Sequence, residues 1–187
     1  MSLNSFFPSI PENARFACFT GHRPDKLGGY GDSAVKRNVV ASLYAVIEQC
    51  VQNGVDTFIT GMALGVDTWA GFVVLDLKKK YPHIRLFAYI PCSGQHSRWY
   101  SSSVDEWWSI IDGCDGVHYV HRSPFEKIGK RCMQDRNVAM VNDANVVIAV
   151  WDGTVGGTKN CVDYARTATH RPAVIRINPQ NAEVTSL

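Results

Sequence analysis

The chain has 187 residues, of which 45% are hydrophobic and 19% are charged, and its formal net charge at pH 7 is +2. A chain of this length buries an adequate core without disulfides or metals, no apolar run approaches the roughly 18 residues of a membrane span, and the stretch MSLNSFFPSIPENARF lacks the pattern of a secretory signal. We therefore expect one cytoplasmic domain without membrane contact, and the balanced charge argues against a nucleic-acid partner.

Runs of apolar, β-branched and aromatic residues predict strands that are buried on both faces. They cover residues 15–20, 57–60, 85–90, 116–120, 145–150 and 173–177. Helical patterns lie between them at about 33–53, 66–81, 103–114, 127–143 and 157–169. This alternation predicts an α/β fold: a Rossmann-like, doubly wound, mostly parallel sheet with helices on both faces, in a single domain. We assign residues 14–178 to this domain, 1–13 to an N-terminal extension and 179–187 to a C-terminal tail, and we expect both ends to be loosely held.

In an open parallel sheet, ligands bind beyond the carboxyl ends of the strands, so the segments that follow the strands are informative. After the first strand, TGHRPDKLGGYG offers the Thr20 hydroxyl, Gly21 for close approach, and Arg23, whose guanidinium could clamp a phosphate or pair with an acidic neighbour. His22 is a candidate for proton transfer by position alone, and an ordinary hydrogen-bonding role is the alternative.

After the second strand, glycines flank the start of a helix, where unpaired N–H groups suit a phosphate. The predicted ligand-binding residues of this loop are Gly61, Met62, Ala63, Leu64, Gly65 and Asp67. Asp67 could instead satisfy the free donors itself or reach a ribose hydroxyl, and tight packing of the helix on the sheet is the alternative use of the glycines. The pattern is neither a spaced GxGxxG nor a Walker loop.

The segment WDGTVGGTKN after the fifth strand repeats this arrangement. Its predicted ligand-binding residues are Asp152, Gly153, Gly156, Gly157 and Thr158. The glycines can adopt conformations closed to other residues, and the threonine can cap the next helix or donate to an anion. Two such helix starts on one edge predict a site for a single anionic molecule, with a plain turn in each place as the alternative.

Polar and aromatic side chains follow the third strand. Gln95 and Arg98 form a polar lining, and Trp99 could stack on a base, as could Trp151, although Trp99 could equally anchor its loop in the core. In the fourth helical pattern, QDRN at 134–137 could project toward the exit of the fifth strand or form a solvated helix face. The six cysteines include no CxxC pair, so we expect reduced thiols, no metal site and no required cofactor.

Four segments together carry a resemblance to a known family. They are TGHRPDKL, GMALGVDTWA, PCSGQHSRW and RNVAMVNDANVVIAVWDGTVGGTKNCVDYA, which occur in this order over residues 16–177. The chain resembles the YpsA-like branch of the SLOG superfamily, Rossmann-like proteins that include the DprA proteins and the LOG phosphoribohydrolases. The resemblance implies a nucleotide or nucleotide-derived ligand, such as an ADP-ribose- or NAD-like molecule, held by the two glycine loops, and it implies self-association into a homo-oligomer.

One position departs from the pattern of the enzymes in this superfamily. LOG enzymes carry a glutamate three positions after the threonine of the second glycine loop, where this chain has Cys161. Asp163 lies two residues further along on a different helical face, and Asp152, Asp67 or Asp163 could serve from elsewhere. We therefore assign no catalytic residue, and we expect a sensor or sequestering protein for a nucleotide. An N-glycosidase or base-exchange enzyme is the alternative, and DprA-like handling of single-stranded DNA is a further one.

Overall fold

A computed structural model describes residue 10 and residues 13–187 of the chain. Most of the predicted N-terminal extension, residues 1–9, 11 and 12, lies outside the described residues. The strands are β1 Phe16–Gly21, β2 Thr57–Thr60, β3 Arg85–Ile90, β4 Gly116–Tyr119, β5 Val146–Val150, β6 Ala173–Ile177 and β7 Val184–Ser186. The α-helices are α1 Ala34–Gln52, α2 Val66–Leu77, α3 Ser101–Gly113, α4 Phe125–Ile128, α5 Arg131–Asp143 and α6 Gly157–Thr167.

The strands form one sheet in the order β4-β3-β2-β1-β5-β6-β7. All neighbouring pairs from β4 to β6 are parallel, and β7 runs antiparallel to β6. The chain order reverses at β1, which lies between β2 and β5, so the loops after β1 and β5 diverge from adjacent strands. A crevice for ligands forms at such a switch point. The α/β, Rossmann-like prediction is confirmed.

Two apolar clusters cover the two faces of the sheet. On one face, Phe19 and Phe58 pack with residues of α1, α2 and α3, such as Leu43 and Trp107. On the other face, Cys18 packs with residues of α5 and α6. Consecutive residues of β1 therefore point into different clusters, as the alternation of side chains along a strand requires.

Local sequence explains where several helices begin and end. Ser33 caps α1, because its Oγ accepts a hydrogen bond from the amide of Lys36 at 3.1 Å. Asn53 ends the same helix, and Gly54 follows with φ +95°, a conformation that favours glycine after a helix. Within the described part of the chain, no helix combines the length and apolar character needed to cross a membrane.

Three features differ from the sequence predictions. The helix predicted over 127–143 is divided, because Gly129 adopts φ +69° between α4 and α5. β4 is an edge strand with three exposed residues, so the prediction that it is buried on both faces was wrong. β7 was not predicted: part of the segment expected to be loosely held instead pairs with β6 and covers that edge of the sheet.

Candidate functional site

A crevice of about 300 Å³ opens at the carboxyl ends of β1, β2 and β5. Its lining residues are Thr20, Gly21, His22, Arg23, Asp25, Lys26, Ala63, Asp67, Met133, Arg136, Asn137, Val155, Gly156, Gly157 and Thr158. The structure thus brings together predicted residues of the three loops. It adds side chains from α5 and from the 3-10 turn Pro24–Lys26 that the sequence analysis did not select.

The start of α6 is open toward this crevice. A Cβ atom added to Gly156 or Gly157 would meet no atom within 4 Å among the described residues, and no described side chain caps the helix. Gly157 and Thr158 lie on the crevice wall. The first amides of a helix have no partner within the helix and carry a partial positive charge, so this wall suits an anion.

The start of α2, in contrast, is closed by the chain itself. Gly65 has φ +93°, and a Cβ added there would lie 2.7 Å from the carbonyl oxygen of His22 and 3.0 Å from Cδ of Pro24. The amide of Val66 faces the same carbonyl at 3.4 Å. Gly65 and Leu64 line a separate cleft of about 80 Å³ rather than the crevice. The tight-packing alternative therefore describes this loop, and the idea of two open helix starts side by side was wrong.

A buried ion pair explains the other glycine of this loop. Arg136 Nη1 lies 3.1 Å from Asp67 Oδ2 and also donates to the carbonyl oxygen of Gly61, and both charged side chains are almost fully buried. A Cβ at Gly61 would overlap the guanidinium of Arg136. Asp67 Oδ2 also accepts from the amide of Ala63 at 3.2 Å. Burial raises the pKa of Asp67, and the neighbouring Arg136 opposes that rise.

Asn137 completes this arrangement by accepting a hydrogen bond from Arg136 Nε at 3.0 Å. Arg136 of the QDRN segment therefore contacts the loop after β2, whereas the predicted alternatives were the exit of the fifth strand and a solvated helix face. Helical periodicity shows which residues share a face, but it does not show what that face meets.

A second network joins the loops after β1 and β5. His22 Nε2 lies 2.6 Å from Asp152 Oδ1, which also accepts from the amide and hydroxyl of Thr154 at 2.9 and 2.7 Å. Lys26 Nζ donates to the Thr154 hydroxyl at 2.8 Å. Burial opposes ionisation of Asp152, but the hydrogen bonds from Thr154 and His22 outweigh it and hold the pKa of this carboxyl well below its usual range. His22 therefore makes a hydrogen bond within the protein, which leaves its role in proton transfer a prediction, and Lys26 is held at the crevice.

The residues after β3 line a neighbouring cavity of about 450 Å³, which we term the side cavity. Its lining consists of Arg23, Gly94, Gln95, Ser97, Arg98, Trp99, Phe125, Glu126, Lys130 and Met133. Arg23 and Met133 belong to both linings, so the side cavity adjoins the crevice.

Two other predicted ligand-binding residues line neither cavity. Met62 is fully buried, and Gly153 is exposed with φ +95° in the loop before α6.

Carboxylates of α6 do not reach the crevice. Cys161, at the position of the glutamate in LOG enzymes, is fully buried in the core, and burial raises the pKa of its thiol to about 11. Asp163 pairs with Lys159 along the helix and is absent from the crevice lining. The described residues contain no group of three or more His, Cys, Asp or Glu side chains placed to hold a metal ion.

A doubly wound sheet with a glycine-rich crevice at its switch point defines a Rossmann-like protein. The match to a family model narrows this class. The model of the YspA SLOG family matches residues 17–176, and the chain belongs to that family.

Bacterial relatives align with this chain over most of their own length. The SPbeta prophage-derived protein YoqJ of Bacillus subtilis is 33% identical over 147 residues, which is 73% of this chain and 85% of YoqJ. The UPF0398 protein BH1768 of Halalkalibacterium halodurans is 28% identical over 138 residues, covering 71% of this chain and 70% of the relative. Among solved structures, DNA processing protein A from Helicobacter pylori aligns with a TM-score of 0.59 at 16% identity, covering 89% of this chain and 67% of that one. At this sequence identity, the likeness concerns the fold alone.

Proposed function

We propose that this protein binds a phosphorylated nucleoside, such as a nucleoside phosphate or an ADP-ribose- or NAD-like molecule, as a sensor or sequestering protein. The observation that carries the proposal is the open start of α6, where two glycines with open space around them line the crevice and no described side chain caps the helix. A phosphate there would accept hydrogen bonds from these amides and would meet the positive end of the helix dipole.

The charges around the crevice support the same assignment. The charge of Arg136 is compensated by Asp67, so this pair shapes the wall without attracting an anion strongly. Arg23 and Lys26 are exposed cations on the wall, with Asp25 as the acidic member beside them. Lys26 donates to Thr154, in the loop that leads to α6, and this contact supports a phosphate position at the start of that helix. The volume of about 300 Å³ lies at the lower end of the range for small-molecule sites.

A matched pair of variants at Gly157 tests the phosphate position. Because a side chain there meets open space, Gly157→Asp adds a negative charge at the start of α6, and Gly157→Asn adds nearly the same volume without charge. Affinity for adenosine 5′-monophosphate, measured by isothermal titration calorimetry, should fall by roughly tenfold or more in the aspartate variant relative to the asparagine variant. Equal affinities in the two variants would contradict the proposed position.

The N-glycosidase alternative needs a separate test. Adenosine 5′-monophosphate is incubated with the wild-type protein, and free base is then measured by chromatography.

Single-stranded DNA is a second candidate ligand. The exposed cations continue from Lys26 and Arg23 in the crevice to Arg98 and Lys130 in the side cavity, a longer path than one mononucleotide needs. The Helicobacter pylori protein with a similar fold has a single-stranded DNA binding mode. A strand bound along this path would contact several phosphates, and its affinity would depend steeply on salt.

A further inference from the structure

We infer that Cys92 and Cys132 are a redox-active pair, which hydrogen peroxide converts into a disulfide between the loop after β3 and the first turn of α5. All six cysteines are free thiols in the structure, and the disulfide would be a reversible modification of two of them. This inference is independent of the proposed function, because it concerns a wall of the candidate site and not the ligand.

The first observation is the contact between the two sulfur atoms. Sγ of Cys92 and Sγ of Cys132 lie 3.5 Å apart, although the residues are 40 positions apart along the chain. A disulfide bond is about 2.05 Å long, so the two sulfur atoms need to approach each other by about 1.5 Å. α5 begins just after the break at Gly129, and a small shift of its first turn, together with rotation of the two side chains, would supply this approach.

The second observation is the position of the pair beside an open cavity. Both cysteine side chains are fully buried, but residues next to them in the chain reach the surface. Gly94, two positions after Cys92, and Met133, directly after Cys132, line the side cavity. A local opening of this loop would therefore admit an oxidant as small as hydrogen peroxide.

The environment of Cys92 assigns an order to the two thiols. Burial, and then the contact with Cys132, raise the pKa of Cys92 to about 12, so its thiolate is scarce at neutral pH. We therefore assign the first attack on the peroxide to Cys132. Its sulfur bonds to one peroxide oxygen, the O–O bond breaks, and the released hydroxide takes up the thiol proton and leaves as water.

The second step closes the disulfide. Cys92 attacks the sulfur of the Cys132 sulfenic acid, the S–O bond breaks, and the hydroxyl group leaves with the Cys92 proton as a second water. The two thiols lose two electrons in total, and the peroxide is reduced to two water molecules. The contact between the two sulfur atoms favours this step, because the attacking atom is already beside its target.

The disulfide would act on the wall that the crevice and the side cavity share. Met133 follows Cys132 and lines both spaces, and Arg136 lies about one turn further along the same helix. A link between residues 40 positions apart also restricts the unfolded chain. We expect the midpoint of urea denaturation to rise by roughly 1 M in the oxidised protein. A midpoint that does not rise would contradict the expected stabilisation.

Counting thiols in the wild-type protein tests the inference. The reduced protein is treated with hydrogen peroxide, catalase removes the excess, and N-ethylmaleimide is added in denaturant before the intact mass is measured. We expect two of the six cysteines to escape alkylation. A proteolytic digest without reductant should contain one peptide pair, linked through Cys92 and Cys132, and dithiothreitol should separate it. Six alkylated cysteines after peroxide, or a link between other cysteines, would overturn the inference.

Single variants provide the control and test the order of attack. Cys92→Ala and Cys132→Ala should lose the linked peptides, whereas Cys114→Ala, at a partly buried cysteine outside the pair, should keep them. Dimedone should label a sulfenic acid at Cys132 in Cys92→Ala and should label Cys92 roughly tenfold less in Cys132→Ala. Equal labelling would refute the assigned order. The wild-type measurement needs no variant, so a poorly folded variant would not affect the test of the disulfide.

Discussion

Asp152 stabilises the crevice as an anion, and this role makes a prediction about pH. Its carboxylate accepts from Thr154 and lies beside His22, and these contacts keep its pKa well below the ordinary value. A carboxyl with a lowered pKa in the folded state contributes stability above its unfolded pKa of about 3.9 and loses it as the pH falls toward the folded value. We expect Asp152→Asn to lower the free energy of unfolding at pH 7 by about 1–3 kcal/mol. The difference from wild type should shrink between about pH 5 and pH 3.

Urea denaturation at a series of pH values measures this difference. Thr154→Val provides a graded comparison, because it removes the hydroxyl donor to Asp152 and leaves the Thr154 amide in place. We expect it to have a smaller effect with the same pH trend. A difference between Asp152→Asn and wild type that stays constant from pH 7 to pH 3 would show that the charge of Asp152 does not stabilise the fold.

Individual residues of the site were predictable where local sequence determined them and not where a distant partner did. Gly156 and Gly157 stand out because two consecutive glycines at the start of an amphipathic helix bring no side chain to its first turn. Arg136 is different, because its burial depends on Asp67, 69 residues away along the chain. A charged residue on a helix is normally solvated, so nothing local distinguishes this buried arginine from an exposed one.

At the scale of elements, the two helix starts use glycine for different physical reasons. Before α2, Gly65 has a positive φ and lies against the backbone of the β1 loop, so the glycine permits close packing of protein on protein. Before α6, Gly157 meets open space, so the glycine leaves room for a ligand. The same residue type therefore has a structural role on one side of β1 and a candidate binding role on the other.

This difference predicts opposite results for two alanine substitutions. Gly65→Ala introduces a methyl group 2.7 Å from a backbone oxygen at φ +93°, and we expect it to lower the free energy of unfolding by about 2–3 kcal/mol. Gly157→Ala adds its methyl group in open space, and it should change stability by no more than about 0.5–1 kcal/mol, with a gain possible through lower entropy of the unfolded chain. Urea denaturation of both variants measures the contrast, and equal losses would refute it.

The order of elements was more predictable than their ends and their positions in the sheet. β2, β3 and β6 have the predicted bounds, because each is a short apolar run between polar segments. The exposure of β4 follows from its place at the edge of the sheet, and strand order is set by tertiary packing rather than by local pattern. The pairing of β7 with β6 is likewise a tertiary contact, and the local sequence of a three-residue strand does not predict it.

For the whole molecule, the arrangement of the crevice and the side cavity unites loops from β1, β2, β3 and β5 with α5. Parallel strands bring their carboxyl ends to one edge, so the sequence analysis could place these loops together. Whether they form one large pocket or two adjoining ones depends on side chains of α5, which the order of the strands does not determine. Met133 of α5 belongs to both linings, which makes this helix the shared wall of the candidate site.

The way in which affinity depends on salt distinguishes a compact ligand from a strand. A mononucleotide at the start of α6 engages one phosphate group, and its affinity should fall by about fourfold between 50 and 200 mM salt, the change expected for a slope near one. The affinity of a single strand that contacts four cations along the path from Lys26 to Arg98 would fall by about fiftyfold over the same range.

We expect the salt dependence of a mononucleotide, with an oligonucleotide binding no more tightly than a mononucleotide at 200 mM salt. Fluorescence anisotropy of labelled ligands across a salt series measures both slopes, and Lys26→Ala should weaken mononucleotide binding and flatten its slope. If an oligonucleotide binds far more tightly and its affinity shows the steep salt dependence, the cations from Lys26 to Arg98 would instead bind single-stranded DNA.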